Sequence, residues 1–391
     1  MTSTTSTTIA DTRPALVSRQ VDFWMLGGAS ILFWGFCHVF EYLSPRFDTA
    51  NGYLIQIPAL FGFTTLLVNS PHFMASYHLA YSRGRRFIFA HWFQLIVVPL
   101  VLIALLVLGD VAFETSIESW RAPAMSFNYW LDPFGIFLVV GTYPSLGPEI
   151  MHHLTNIMYL TVGWHYTKQV FGCFMVYSRY DGYALSRGER NLLKASLLCI
   201  WGFNYFSLNS EMSQTQFFSM GTTTHVFPAA FTLMFEYVTV LLFVAVAWRI
   251  FYVRYRKTGE LPPAPALVAW VAMFVWWMPF GRSLTFFAFA VPFFHGLQYL
   301  PFYRKVIDAR HNDPAVAGRS FWFYFAFLVV AGFIAFNVGP EAIDVMRDSD
   351  SRFHLTYWVA GVAVLINIHH FFIDNTIWRL RDENVRRWLL N

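Results

Sequence analysis

Residues 353–378 read FHLTYWVAGVAVLINIHHFFIDNTIW. No Lys, Arg, Asp or Glu interrupts the run from Phe353 to Ile373, and a helix needs about 20 such residues to cross the hydrocarbon core of a bilayer. The run closes on His369, His370 and Asp374. Ionisable side chains at membrane depth are expensive, so they are read first as a working site. One stretch thus gives both a membrane helix and a set of candidate functional groups at its end.

Runs of the same kind recur throughout the chain. We read spans near 22–43, 54–80, 87–109, 148–177, 190–208, 227–252, 264–281, 283–303, 320–338 and 353–373. Hydrophobic residues make up 56% of the 391 positions and charged residues 13%, which excludes an ordinary water-soluble globule. The expected fold is all-α: a polytopic membrane helical bundle of about ten transmembrane helices, forming a single transmembrane domain over 21–374. Residues 1–20, rich in Ser and Thr, read as a disordered tail. Residues 375–391, with Trp378, Arg379, Arg381, Arg386 and Arg387, read as a basic amphipathic cytoplasmic tail. Residues 131–146, with Pro133, Gly135, Gly141 and Pro144, are too interrupted for a lipid-facing helix and suit a re-entrant or interfacial segment packed on protein.

Ten spans place 21 of the 27 Lys and Arg on one side, the bias expected of cytoplasmic loops. The other side keeps Arg46, Arg121, Arg282, Arg347 and Arg352, while Lys168 lies inside a span near its inner end. Both termini are therefore expected in the cytoplasm, for a multi-pass protein of the bacterial cytoplasmic (inner) membrane. The apolar run after residue 20 is longer than a signal-peptide core and lacks a small-residue cleavage site, so it reads as an uncleaved helix. The net charge of +4 follows from the topology bias and forms no stripe for nucleic acid. Cys37, Cys173 and Cys199 have no framework spacing and predict neither disulfides nor a cysteine metal site.

With this orientation the histidines acquire depths. His72 and His78 fall at the inner end of the second span, His91 opens the third, His165 lies in the inner half of the fourth, and His295 lies in the inner half of the eighth. His369, His370 and Asp374 close the tenth. Spacing adds partners: Asp374 follows His370 by four residues, Gln169 follows His165 by four, and Gln298 follows His295 by three. A metal-bound imidazole commonly donates its second ring N–H to such a group, so Gln169 and Gln298 are expected to orient ligands. His72 and His78 are about 9 Å apart along a helix and about 120° apart around it, too far for easy ligation of one ion. Imidazole-rich sites without thiolates suit iron, zinc, copper or nickel. A lone imidazole in a membrane helix is more often an interhelical hydrogen-bonding group, and it is the convergence of several at one depth that favours a metal.

A second, outer tier competes. Glu149 precedes His152 and His153 by three and four residues, a spacing used by carboxylate-bridged metal sites in bundles. Pro148 and Glu149 are equally ordinary at a helix start. His38 with Glu41, and Glu211, His225 and His354, belong to the same side. His165 is about 18 Å beyond His153 on an unbroken helix, so one cluster could join both tiers only if the helix breaks near Gly163. Asn69-Ser70-Pro71-His72 should break the second helix, opening room for a site or simply ending it.

The nearest local patterns are His72-x5-His78 and the pairs His152-His153 and His369-His370. In topology and histidine placement the chain resembles the histidine-rich integral membrane non-haem iron oxygenases of the desaturase, hydroxylase and alkane monooxygenase type. It does not reproduce their HxxxH, HxxxxH and HxxHH boxes. The resemblance implies one or two irons, oxidation of a lipid or other apolar substrate by dioxygen (hydroxylation, desaturation or cleavage), and a separate electron-transfer protein as partner. The expected metal set is His72, His78, His165, His295, His369, His370 and Asp374, with His165, His295, His370 and Asp374 at the catalytic centre. Two other classes stay open: a metal-independent acyl or lipid transferase with His295 as base, and a metal or haem transporter. The sequence holds no GxGxxG, GxxxxGK[ST] or HExxH motif.

Overall fold

A 35-residue helix, Leu146–Tyr180, runs the length of the molecule, about 52 Å at 1.5 Å per residue. The computed structural model to which it belongs describes residues 13–43, 63–210, 216–217, 220–284, 286–313, 318–346, 356–380 and 382–390, so Glu211, His354 and the tail 1–12 lie outside the described residues. The helix does not break at Gly163. A Cβ there would stand 2.8 Å from Trp201 and 3.3 Å from Trp277, so the glycine serves close helix packing rather than a kink. Around this axis pack Phe93–Val111, Arg187–Leu208, Ala264–Trp277 and Tyr357–Ile377.

The fold is all-α apart from two short two-stranded pairings among the described residues. Among the described residues five helices are long and apolar enough to cross a membrane: Arg19–Leu43, Phe93–Val111, Ala229–Thr258, Phe321–Val345 and Tyr357–Ile377. Only 11% of the apolar window of Ala229–Thr258 and 17% of that of Phe321–Val345 is buried. Wet apolar surface costs about 25 cal/mol per Å2, so faces of this kind suit hydrocarbon rather than water. The other predicted stretches are helical where described, but they are more polar or shorter. Ala264–Trp277, with 14 residues, covers about 21 Å. The polarity of Ser70–Tyr81, Leu146–Tyr180 and Phe287–His311 has a structural cause, because each turns a histidine into the interior.

The predicted sidedness of the loops has a counterpart in their contacts. Arg19 is ion-paired with Asp181. Arg254 donates to the Ala184 carbonyl (2.6 Å) and Tyr180 to the Leu389 carbonyl. Arg83 pairs with Asp382 (2.9 Å), Arg387 with Asp313 (3.3 Å), and Arg310 donates to Ser82 (3.1 Å). All six basic segments are thereby tied together at one end of the bundle. At the opposite end Phe137–Leu138 pairs antiparallel with His225–Val226. Residues 131–146 accordingly form short turns and extended chain packed on protein, with Gly135 and Gly141 at positive φ (65° and 69°).

Two expectations need correction, and the C-terminal helix gains a placement. Residues 13–20 are ordered, because the buried Asp22 carboxylate draws in its donors: the Leu16 and Val17 N–H groups and the Tyr177 hydroxyl. The tail helix Glu383–Leu390 is amphipathic as read, yet it lies on the protein: Val385 and Leu389 are buried and the Trp388 ring sits under the Arg83 and Arg310 guanidiniums. Finally, Pro71 neither breaks nor ends its helix. The turn before it, Thr65–Asn69, is widened to a π-turn and the helix continues to Tyr81. A widened turn accommodates the missing proline N–H and its ring.

Candidate metal centre

His72, His165, His295 and His370 arrive from four helices with their candidate ligand atoms all within 4.8 Å of one another. Each is at most 7% exposed. His370 Nε2 lies 3.1 Å from His165 Nε2 and 3.2 Å from His72 Nε2. Nitrogens bound to one ion at about 2.0–2.1 Å stand about 2.8–3.4 Å apart at right-angled to tetrahedral geometry, and these separations fall in that range.

Proton accounting also favours a cation. His72 Nδ1 is 2.7 Å from the Asn69 carbonyl, which can only accept, so this nitrogen carries the proton and His72 Nε2 presents a lone pair. His370 Nε2 holds at most one proton in the neutral ring and cannot satisfy both of its nitrogen neighbours. His295 Nε2 and His370 Nδ1 are buried without a hydrogen-bond partner. Burial without partners is costly for such groups, and ligation by His295 would relieve its share.

Asp374 is placed as a further donor. Its Oδ2 is 3.7 Å from both His165 Nε2 and His370 Nε2. Its Oδ1 accepts from Ser76 Oγ (2.6 Å), and the Tyr299 hydroxyl stands 2.6 Å from Ser76 Oγ and 3.4 Å from Oδ1, accepting in turn from Trp378 Nε1 (3.0 Å). One carboxylate oxygen is thus anchored and the other faces the imidazoles. The His295 ring stacks on Tyr166 at 3.9 Å, and Gly296 lets two helices meet: a Cβ there would be 3.2 Å from Asn69 Cα and 3.3 Å from His72 Nδ1.

The remaining predicted residues divide. His78 is outside the cluster: its Nδ1 bonds the Tyr303 hydroxyl (2.8 Å) and its ring stacks on Tyr324. His369 also turns away, with Nε2 donating to the Gln94 carbonyl (3.1 Å) and Nδ1 accepting from Tyr77 (2.8 Å), so both nitrogens are used. Gln169 and Gln298 bond no imidazole. Gln169 Nε2 donates to the His295 carbonyl (3.0 Å) and to Gln298 Oε1 (2.9 Å), and Gln298 Nε2 donates to the Leu26 carbonyl (2.6 Å). They fix the His295 helix against the first helix and orient the ligand only through its backbone.

The outer tier is not gathered in this way. Glu149 accepts from the Gly141 and Tyr143 N–H groups and lies 3.2 Å from the partly exposed His153 Nε2, while His152 Nδ1 donates to the Gly221 carbonyl. Glu149 therefore holds the 141–143 loop. His225 is bonded by Tyr205 and Thr224, His91 lies against its own Phe87 carbonyl, and His38 is edge-on to Trp34.

Beside the cluster opens a cavity of about 850 Å3, which His165, Asp374 and Tyr299 line together with Lys168, Asn375, Arg379 and apolar side chains. That volume is typical of sites for small molecules. No family model matches the chain, and neither does any curated protein or solved structure.

Proposed function

We propose that this chain is an integral membrane metalloenzyme in which His72, His165, His295, His370 and Asp374 hold one iron ion, and that it oxidises an apolar or amphiphilic substrate with dioxygen. The observation that carries the reading is the convergence of four buried imidazoles from four helices, with their candidate ligand atoms all within 4.8 Å of one another. Two ions about 3.5–4 Å apart would need a wider ligand set. Zinc sites usually take three or four protein ligands, whereas four imidazoles and a carboxylate suit a metal of higher coordination number that keeps a place for a reactant. A haem would need its macrocycle between two axial ligands, and four imidazoles this close leave no room for one.

When bound, the metal supplies the redox chemistry. The chain supplies the rest: buried walls that exclude water, an Asp374 held by Ser76 and Tyr299, and a cavity that brings substrate to the His165 and Asp374 side. In the same reading the ten helices cross the inner membrane, the end with the tied basic loops faces the cytoplasm, and electrons come from a separate protein there.

The test is metal content and the visible spectrum of protein in lipid nanodiscs, beside a His165→Ala/His370→Ala variant. About one iron per chain without a Soret band, lost in the variant, is expected. Protein that stays iron-free after reconstitution with ferrous iron, or a variant that keeps its iron, would overturn the proposal.

A further inference from the structure

The cavity beside the cluster is apolar over most of its wall but not at its rim. Phe171, Met175, Val176, Phe302 and Leu380 supply hydrocarbon. Lys168 and Arg379 supply positive charge, and they stand close to the candidate ligands in a specific way. Lys168 follows His165 by three residues, about 4.5 Å along the same helix. Asn375 follows Asp374 directly, accepts from Lys168 Nζ through its side chain (2.6 Å), and accepts from Arg379 Nε through its carbonyl (2.8 Å). One cation thus stands on a ligand-bearing helix and the other two residues beyond the end of a second, joined through one asparagine.

Among the described residues no carboxylate forms an ion pair with either of these charges. Of the acids lining the cavity, Asp374 is committed to the cluster and Asp382 to Arg83. Among the described residues neither Lys168 nor Arg379 is ion-paired, and Lys168 instead lies 5.0 Å over the Trp164 ring and 5.4 Å over Phe371. A plain hydrocarbon would gain nothing from such a rim. A chain ending in an acid group would bring the missing negative charge and leave its tail to the apolar wall.

We propose that the cavity binds an amphiphile with an acid head group, carboxylate or phosphate, held by Lys168 and Arg379, with its apolar chain beginning beside His165 and Asp374. The assignment rests on the histidine cluster being the reacting centre, and it deepens that reading by fixing where the substrate is attacked. With the head about one helical turn from His165, the carbons nearest the cluster are the first few of the chain, not its middle or far end.

The experiment uses the iron-loaded full chain in phosphatidylcholine nanodiscs, with spin-labelled stearic acid, its methyl ester and an equivalently labelled phosphatidic acid as probes. Electron paramagnetic resonance reads the immobilised fraction, and iron per chain is measured on the same samples. At least one of the two acids should bind about tenfold or more tightly than the ester. The Lys168→Met/Arg379→Gln variant should lose that preference at unchanged iron content, and Lys168→Arg should keep it. Which acid binds assigns carboxylate or phosphate. Ester binding equal to that of both acids, or acid binding unaffected in the double variant, overturns the proposal while leaving the metal site standing. Acid binding by protein that takes up no iron would instead remove the enzymatic reading alone.

Discussion

The Nε2 atoms of His165 and His370 lie 3.1 Å apart in the interior of the bundle, on helices that face each other. His370 is shared by two neighbours, since His72 Nε2 also lies 3.2 Å from the same atom. Removing this imidazole should therefore be felt by both of them. His370→Ala is expected to weaken iron binding more than a hundredfold, beyond the 10- to 100-fold typical of losing an outer hydrogen-bond partner. Competition against a chelator measures it, and an affinity within tenfold of the parent protein would remove His370 from the centre.

Ser76 and Tyr299 hydrogen-bond Asp374 and no imidazole of the cluster, although the Tyr299 ring packs edge-on against His72 at 5.4 Å. Ser76→Ala and Tyr299→Phe each remove one of the two hydroxyls that hold the Oδ1 end of the carboxylate, so Oδ2 is held less firmly toward His165 and His370. We expect a 10- to 100-fold loss of iron affinity from each, with the fold retained. Unchanged affinity in both variants would mean that Asp374 is not a ligand.

His78→Gln and His369→Gln make the opposite case. His369 has both nitrogens bonded, by Tyr77 and the Gln94 carbonyl, and His78 is bonded at Nδ1 by Tyr303 while its ring stacks on Tyr324. Each variant should cost about 1 kcal/mol of stability, the worth of an ordinary hydrogen bond, and should keep its iron. Loss of iron in either would mean that the site extends beyond the four converging imidazoles.

That His72, His165, His295 and His370 share one level of the bundle was legible from the apolar runs, but direction was not. His369 and His370 share one depth and differ by about 100° around the helix. Which of them faces the centre is decided by the neighbouring helices, and local spacing does not contain that information. Gln298, three residues from His295, and Gln169, four from His165, looked like direct partners, yet they brace backbone carbonyls. The four-residue spacing that singled out Asp374 after His370 also leads from His72 to Ser76 and from His295 to Tyr299. Followed on every helix, it would have found the two hydroxyls that hold Asp374. Asn69 is harder to foresee, because its carbonyl reaches His72 beside a widened turn that only the packed structure displays.

Metal loss should loosen the bundle as a whole, because the ligands join four helices. Binding adds stability in proportion to RT ln(1 + [metal]/Kd), about 4 kcal/mol at a thousandfold excess over Kd. The iron-loaded protein should therefore unfold at higher temperature than the chelated one. Imidazole must be unprotonated to ligate, so acid competes with the metal and the difference should shrink as pH falls. A gap that is constant with pH would argue that histidines are not the ligands.

Gly296 offers a test that leaves every ligand in place. A Cβ at this position would meet Asn69 Cα at 3.2 Å and His72 Nδ1 at 3.3 Å, where the His295 and His72 helices touch and where the Asn69 carbonyl orients His72. Gly296→Ala must push these helices apart by a few tenths of an ångström, and a ligand set is sensitive on that scale. Gly35→Ala is the control, since nothing lies within 4 Å of its added Cβ in the first helix. The control should be neutral or stabilising by about 0.5–1 kcal/mol, as for glycine to alanine in a helix interior. Gly296→Ala should lose iron affinity about tenfold or more while remaining folded, which chelator competition and thermal unfolding report separately. If both variants bound iron like the parent protein, the approach of the two helices at Gly296 would be packing alone, with no part in setting the ligand geometry.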